Sequence, residues 1–198
     1  MKMGDRITSI AGILLLVFWC GQVSGVESSL RDSIYDVGPL KPVDSVLKVA
    51  PGEPAPDFTL PAISGKKISL SSLKGRNVVI SFVPAAWTPV CSDQWPGYGI
   101  SRGFFEEYDA TLLGITVDNL PTLHAWVNQM GNIWFEVLSD FWPHGEVASS
   151  YGLLRSDGTS ERALIFIDRE GIISDIYVSD INVRPPLEYI VTQLQKMK

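Results

Sequence analysis

An α/β domain, with a central mixed β-sheet flanked by helices, is predicted by three features of this chain. Asn77-Val78-Val79-Ile80-Ser81-Phe82-Val83 and Leu112-Leu113-Gly114-Ile115-Thr116-Val117 are rich in β-branched residues and almost continuously apolar, the pattern of strands covered on both faces. Segments bounded by helix start and stop residues follow each run. Two later apolar runs flank Asp168-Arg169-Glu170-Gly171 as a hairpin does. Strands alternating with helices, then a hairpin and a closing helix, require both parallel and antiparallel neighbours in one sheet.

Each element has its own justification. Ala50-Pro51-Gly52-Glu53-Pro54-Ala55-Pro56 cannot be helical and marks the entry to the domain. Asp57-Phe58-Thr59-Leu60 and Lys67-Ile68-Ser69-Leu70 read as short strands across the turn at Ser64-Gly65. Pro84 ends the first central strand, and a helix is expected from about Cys91 toward Tyr108, weakened at Pro96, Gly97 and Gly99. Pro121 to Met130 is helical, with Pro121 in its first turn and Gly131 as its C-terminal cap. Phe135 to Leu138 is a strand, and His144 to Tyr151 a short helix ended by Gly152. Arg162 to Ile167 and Ile172 to Val178 form the hairpin, and Pro185 to Met197 closes the chain as an amphipathic helix. This order is similar to that of thioredoxin-like folds.

The 198 residues carry 45% hydrophobic and 19% charged residues, a balance that supports a sizeable core in one domain. The formal net charge of -6, with no basic cluster, argues against nucleic acid or an anionic membrane surface as partner. The start of the chain reads as an export signal over residues 1–25. Lys2 and Arg6 precede an apolar run from Ile7 to Trp19, and Val23-Ser24-Gly25 supplies small residues for cleavage after Gly25. The run is short for a bilayer span of about 20 residues, so a retained membrane anchor is the alternative. Lipid attachment at Cys20 is disfavoured by the bulky Phe18 and Trp19 before it. Residues 26–49 read as a linker or extended N-terminal arm, and residues 50–198 as the domain. The expected location is periplasmic or otherwise extracytoplasmic.

Loss of the leader leaves Cys91 as the one cysteine. A solitary cysteine in an oxidising compartment has no internal disulfide partner and is either buried and inert, bridged to another molecule, or reactive. Cys91 closes Pro84-Ala85-Ala86-Trp87-Thr88-Pro89-Val90-Cys91, where a strand hands over to a helix. Unpaired N–H groups and the helix dipole favour a thiolate there. The Thr88 hydroxyl, three residues earlier, is within reach of the sulfur or of a bound oxygen. Pro84 and Pro89 stiffen the loop. Arg162 opens a later, otherwise apolar strand; a guanidinium beside a thiol favours its ionised form and can orient a small oxygen-rich ligand.

Pro84-x-x-x-Thr88-x-x-Cys91 resembles the active-site signature of the peroxiredoxins, thiol peroxidases of the thioredoxin-like superfamily. Ala55-Pro56-Asp57-Phe58-Thr59-Leu60 is similar to their entry strand, and Gly114-Ile115-Thr116-Val117-Asp118 to their central strand. Leu138-Ser139-Asp140 and the arginine strand from Arg162 with its hairpin also follow in family order. The resemblance spans roughly residues 50–198. It implies that Cys91 attacks a peroxide oxygen and becomes a sulfenic acid, with Thr88 and Arg162 polarising the peroxide and Pro84 shielding the pocket. N–H groups near Val90 and Cys91 add donors, and Gln94 orients the network. It further implies a substrate of hydrogen peroxide or an organic hydroperoxide, no cofactor or metal, and the capacity to form a homodimer. Where some relatives carry a resolving cysteine, this chain has Pro96. That places it in the one-cysteine subtype, recycled by an external thiol, either a thioredoxin-like protein or a small thiol.

Other functions are weaker. Thiol–disulfide exchange wants C-x-x-C, and the matching stretch is Cys91-Ser92-Asp93-Gln94. A non-enzymatic redox or holdase role would leave Thr88 and Arg162 without purpose. His124 and His144 have no metal-ligand spacing and pair with no nucleophile. Trp87 is expected to pack beside the pocket, and Asp118 and Asp140 to cap the turns or helices after their strands.

Overall fold

The computed structural model describes residues 30–131 and 133–197; the expected leader and Cys20 lie outside them. A five-stranded sheet has the order β5-β4-β3-β6-β7, with β3 Asn77–Phe82, β4 Ala110–Thr116, β5 Glu136–Ser139, β6 Ala163–Ile167 and β7 Ile173–Val178. The β3, β4 and β5 strands are parallel, while β6 runs antiparallel to both β3 and β7. A separate two-stranded ladder joins β1 Thr59–Pro61 to β2 Lys67–Ser69.

The continuous apolar runs are explained by two covered faces. Alternation along β3 sends Val78, Ile80 and Phe82 into one cluster with Leu113, Ile165 and Tyr151. Val79 and Val83 join the opposite cluster with Cys91, Trp95, Phe105, Trp126 and Leu194. The first face is covered by the β1-β2 ladder and by α5 Glu146–Tyr151. The second carries α2 Pro89–Gly97, α3 Arg102–Glu107, α4 Leu120–Met130 and α6 Leu187–Lys196. Each fully buried large side chain contributes about 1.5–3 kcal/mol of transfer free energy, so the two-sided sheet is the main source of stability. Gly114 is where α2 seats on β4: a Cβ there would lie 2.7 Å from the Trp95 ring and 3.0 Å from Phe135, so only glycine admits the indole against the strand.

Helix α2 starts at Pro89, two residues earlier than expected, with Thr88 in the N-cap position in extended conformation. Proline is favoured at this first position because its missing N–H has no intrahelical acceptor there. The segment expected as one weakened helix is divided into α2, a 3₁₀ turn at Tyr98–Ser101 and α3, as Pro96, Gly97 and Gly99 require. Helix α5 begins at Glu146 rather than His144, and Asp140 caps it by accepting the Val147 and Ala148 N–H groups at 3.1 and 2.8 Å.

The described part of the arm has one short helix, α1 Leu30–Ser33, and then runs without regular structure to residue 50. Its order comes from hydrogen bonds to the domain. The Leu40 backbone N–H donates to Asn182 Oδ1 at 2.9 Å, and the Leu40 carbonyl accepts from Asn182 Nδ2 at 2.8 Å. The Asp44 and Ser45 N–H groups both donate to Glu161 Oε1 at 2.6 and 2.8 Å. Gly152, at φ 74, lies under the crossing arm, where a Cβ would meet the Val46 carbonyl at 2.2 Å.

Candidate active site around Cys91

The loop between β3 and α2 is pinned from three directions. The Val83 N–H donates to Ile115 O at 3.1 Å, and the Ser160 hydroxyl donates to Val83 O at 2.8 Å. The Asp118 carboxylate, at the end of β4, accepts the Ala86 N–H at 2.8 Å and the Thr116 hydroxyl at 2.5 Å. Asp118 therefore braces the cysteine loop, and Asn119 takes the cap of α4 by accepting the Thr122 N–H at 3.0 Å. Trp87 sits at φ 55, a left-handed conformation uncommon for a bulky residue. The surroundings hold it there: its carbonyl accepts the Tyr35 N–H at 2.7 Å and its indole N–H donates to Gln129 at 2.8 Å. Such strain costs on the order of 1 kcal/mol and is found where neighbouring structure over-determines the backbone.

This path places Cys91 at the third position of α2. The first i→i−4 bond of the helix runs from the Ser92 N–H to Thr88 O at 3.0 Å, so the Val90 and Cys91 N–H groups precede it. Cys91 is free and fully buried, the one cysteine among the described residues. Arg162, immediately before β6, is also buried. Its three nitrogens are all engaged: Nη2 donates to Cys91 Sγ at 3.4 Å, Nη1 to Gln94 Oε1 at 2.6 Å, and Nε to Ile181 O at 2.9 Å. Among the described residues no carboxylate lies within ion-pair distance of this guanidinium.

Gln94 extends the network inward. Its Nε2 donates to the Tyr98 hydroxyl at 2.7 Å and to Ser81 Oγ at 3.1 Å, and the Trp95 indole N–H donates to the same Ser81 oxygen at 3.2 Å. Burial is the main reason the Tyr98 hydroxyl is pushed up to about 12, so it stays neutral in this chain of donors.

Of the residues expected around the sulfur, the structure brings Arg162 into contact with Cys91 and, separately, with Gln94. Pro84, Thr88 and Val90 line the adjoining cleft with Arg162. The Thr88 hydroxyl does not bond the sulfur; it donates to Ala85 O at 3.0 Å and stabilises the turn. The cleft has a volume of about 320 Å³. Another cleft of about 290 Å³, between the β1-β2 region and the β6-β7 turn, has no cysteine or histidine in its lining. Sequence reasoning missed Ser81, Tyr98 and Asp118 as supports of the site. The polar Ser81 within a continuous apolar strand was the available signal. His124 contacts Asn128, and His144 contacts the Gly158 carbonyl. Among the described residues no group of three His, Cys, Asp or Glu side chains is placed to hold a metal ion.

Residues 51–176 match the AhpC/TSA family. Alkyl hydroperoxide reductase E of Mycobacterium tuberculosis is 37% identical over 124 residues, covering 62% of this chain and 80% of the relative. A putative peroxiredoxin in the rubredoxin operon of Clostridium pasteurianum is 33% identical over 144 residues, covering 67% of this chain and 80% of its own. Among solved structures, the reduced 2-Cys peroxiredoxin of Plasmodium vivax superposes with a TM-score of 0.70 at 26% identity, over 74% of this chain and 81% of the other. The family match spans the strand, the cysteine loop and the arginine strand just described, and the chain belongs to the AhpC/TSA family, the peroxiredoxins.

Proposed function

We propose that Cys91 is the peroxide-reacting group of this thiol-dependent peroxidase. The observation that carries this reading is the buried Arg162 guanidinium, which among the described residues has no carboxylate partner and lies 3.4 Å from a buried cysteine sulfur. A buried cation is costly unless an anion compensates it, and a thiolate at Cys91 is the anion the geometry offers. The thiolate attacks the terminal oxygen of a hydroperoxide, forming the S–O bond as the O–O bond breaks. The departing alkoxide or hydroxide takes up a proton and leaves as alcohol or water, and Cys91 becomes a sulfenic acid. Arg162 and the Val90 and Cys91 N–H groups stabilise the charge that develops on the peroxide oxygens. Thr88 offers an oxygen to the hydroperoxide proton, and Pro84 excludes water from one side.

The sulfenic acid is then reduced by an external thiol. One thiol condenses with it to a mixed disulfide and water; a second thiol attacks that disulfide, returning Cys91 as its thiol and leaving the two reductant thiols joined as a disulfide. Gln94 stands where a dithiol motif would need its second sulfur. The same reading makes this a one-cysteine peroxidase, exported through the leader over residues 1–25 and able to pair with a second copy.

The test is peroxide consumption with a supplied thiol, wild type against Cys91→Ser, together with intact mass after one equivalent of peroxide and dimedone. Loss of turnover in the variant and one dimedone adduct on wild-type Cys91 are expected. Equal consumption by the two proteins would overturn the assignment.

A further inference from the structure

We infer that Val37, Pro39 and Leu40 of the N-terminal arm form the wall of the cleft beside Arg162 and the buried Cys91 that receives the organic substituent of the peroxide. The arm thereby selects hydroperoxides bearing an apolar group over hydrogen peroxide. This rests on the reading of Cys91 as the reacting group.

The cleft joins the sulfur through Arg162, whose Nη2 donates to Cys91 Sγ at 3.4 Å. Thr88 and Val90 of the cysteine loop line it together with the apolar Val37, Pro39, Leu40 and Ile181. Asp36 and Arg162 are the only charged side chains in the lining, and Asp36 is turned to its own loop, accepting the Gly38 N–H at 2.8 Å. The volume of about 320 Å³ falls in the range of clefts that hold small organic ligands, ~300–1,000 Å³. Hydrogen peroxide, two oxygens long, is much smaller than such ligands. An aryl or branched alkyl group would occupy the cleft and cover the side chain of Val37, which is 47% exposed.

The wall is built rather than incidental. The paired Leu40–Asn182 hydrogen bonds fix the backbone of the arm beside Ile181. The Ile181 N–H donates to Pro42 O at 3.0 Å, while its carbonyl accepts from Arg162. Arm, Ile181 and Arg162 are thus one hydrogen-bonded unit, so the apolar wall keeps a fixed position relative to the guanidinium. Residues 36–40 and 181–182 lie outside the segment matched to the family, 51–176, so this wall is a feature of the chain beyond the shared domain.

Stopped-flow oxidation of Cys91 in the whole protein tests the inference, with hydrogen peroxide and cumene hydroperoxide as the two probes. The readout is the ratio of their second-order rate constants. The wild type is expected to favour cumene hydroperoxide by about tenfold or more, and Val37→Ser with Leu40→Ser to lower that ratio at least about fivefold, the scale on which hydrophobic pockets discriminate. Val37→Trp, at an exposed position, narrows the cleft and is expected to lower the ratio as well; it keeps the test valid if the double variant does not fold. A wild type that favours hydrogen peroxide, or a ratio unmoved by the variants while Cys91 still reacts, overturns the role of the arm and leaves the assignment of Cys91 intact. Failure of wild-type Cys91 to react with either peroxide overturns the assignment itself.

Discussion

Arg162 Nη2 lies 3.4 Å from Cys91 Sγ, and the same guanidinium is held from its other edges by Gln94 Oε1 at 2.6 Å and Ile181 O at 2.9 Å. The fork geometry lets one side chain bond a sulfur on α2, an amide one turn further along that helix and a carbonyl beyond β7. Its position is therefore set by three separate parts of the chain. Orientation, and not merely proximity, distinguishes this arginine from a charge at a strand end.

Arg162→Lys tests that orientation. A lysine ammonium retains the charge but cannot present donors in a planar fork, so the contacts to Gln94, Ile181 and Cys91 cannot be made together. Oxidation of Cys91 by peroxide, followed by stopped flow, is expected to slow about 100-fold, the scale for losing one positioned donor at a developing oxyanion. A lysine variant within twofold of wild type would show that charge alone suffices and that the fork is incidental.

The parts of the site written in local sequence were legible, and those built by crossing contacts were not. Continuous apolar runs announced β3 and β4 because both faces of the sheet are covered. Pro84, Thr88, Cys91 and Arg162 were recognisable through their order along the chain. The start of α2 was misplaced by two residues, because Pro89 reads as a loop residue until its position at the first helical turn is known. Asp118 holds Ala86 from 32 residues away, and nothing at either position signals the pairing. The arm gave no periodicity for a physical reason: its backbone N–H groups are satisfied by the side chains of Glu161 and Asn182, and such contacts leave no apolar pattern in the arm itself.

Glu161→Gln is expected to loosen the arm and weaken the domain together. The Glu161 side chain is fully buried; Oε2 accepts from Arg155 Nη1 at 2.7 Å while Oε1 accepts the two arm N–H groups. Glutamine preserves the shape but leaves the buried Arg155 without its closest anion, a change that costs about 3–5 kcal/mol when a buried pair is broken. Urea denaturation should show a loss of this order, and trypsin should cleave after Lys48 faster than in wild type. Unchanged stability and unchanged proteolysis would remove Glu161 as the latch of the arm.

Tyr98 predicts a specific loss of stability in alkali. Burial raises its hydroxyl from 10.0 to about 12 in the folded protein, against an unfolded value near the former. Between those values the unfolded chain releases the phenolic proton while the folded chain retains it, so deprotonation favours unfolding. The contribution of this group is fully present below pH 10 and is lost as pH rises through about 12, by up to about 3 kcal/mol. Tyr98→Phe removes the titrating group while keeping the ring, at the cost of the bond from Gln94 Nε2. Its stability is expected to be lower than wild type at pH 8 by about 1 kcal/mol and to fall less steeply above pH 10, so that the two curves converge. Urea midpoints at intervals from pH 8 to pH 12 measure this directly. Parallel curves across that range would mean that the buried hydroxyl is not linked to folding, and that water reaches the Ser81–Gln94–Tyr98 network behind the cysteine.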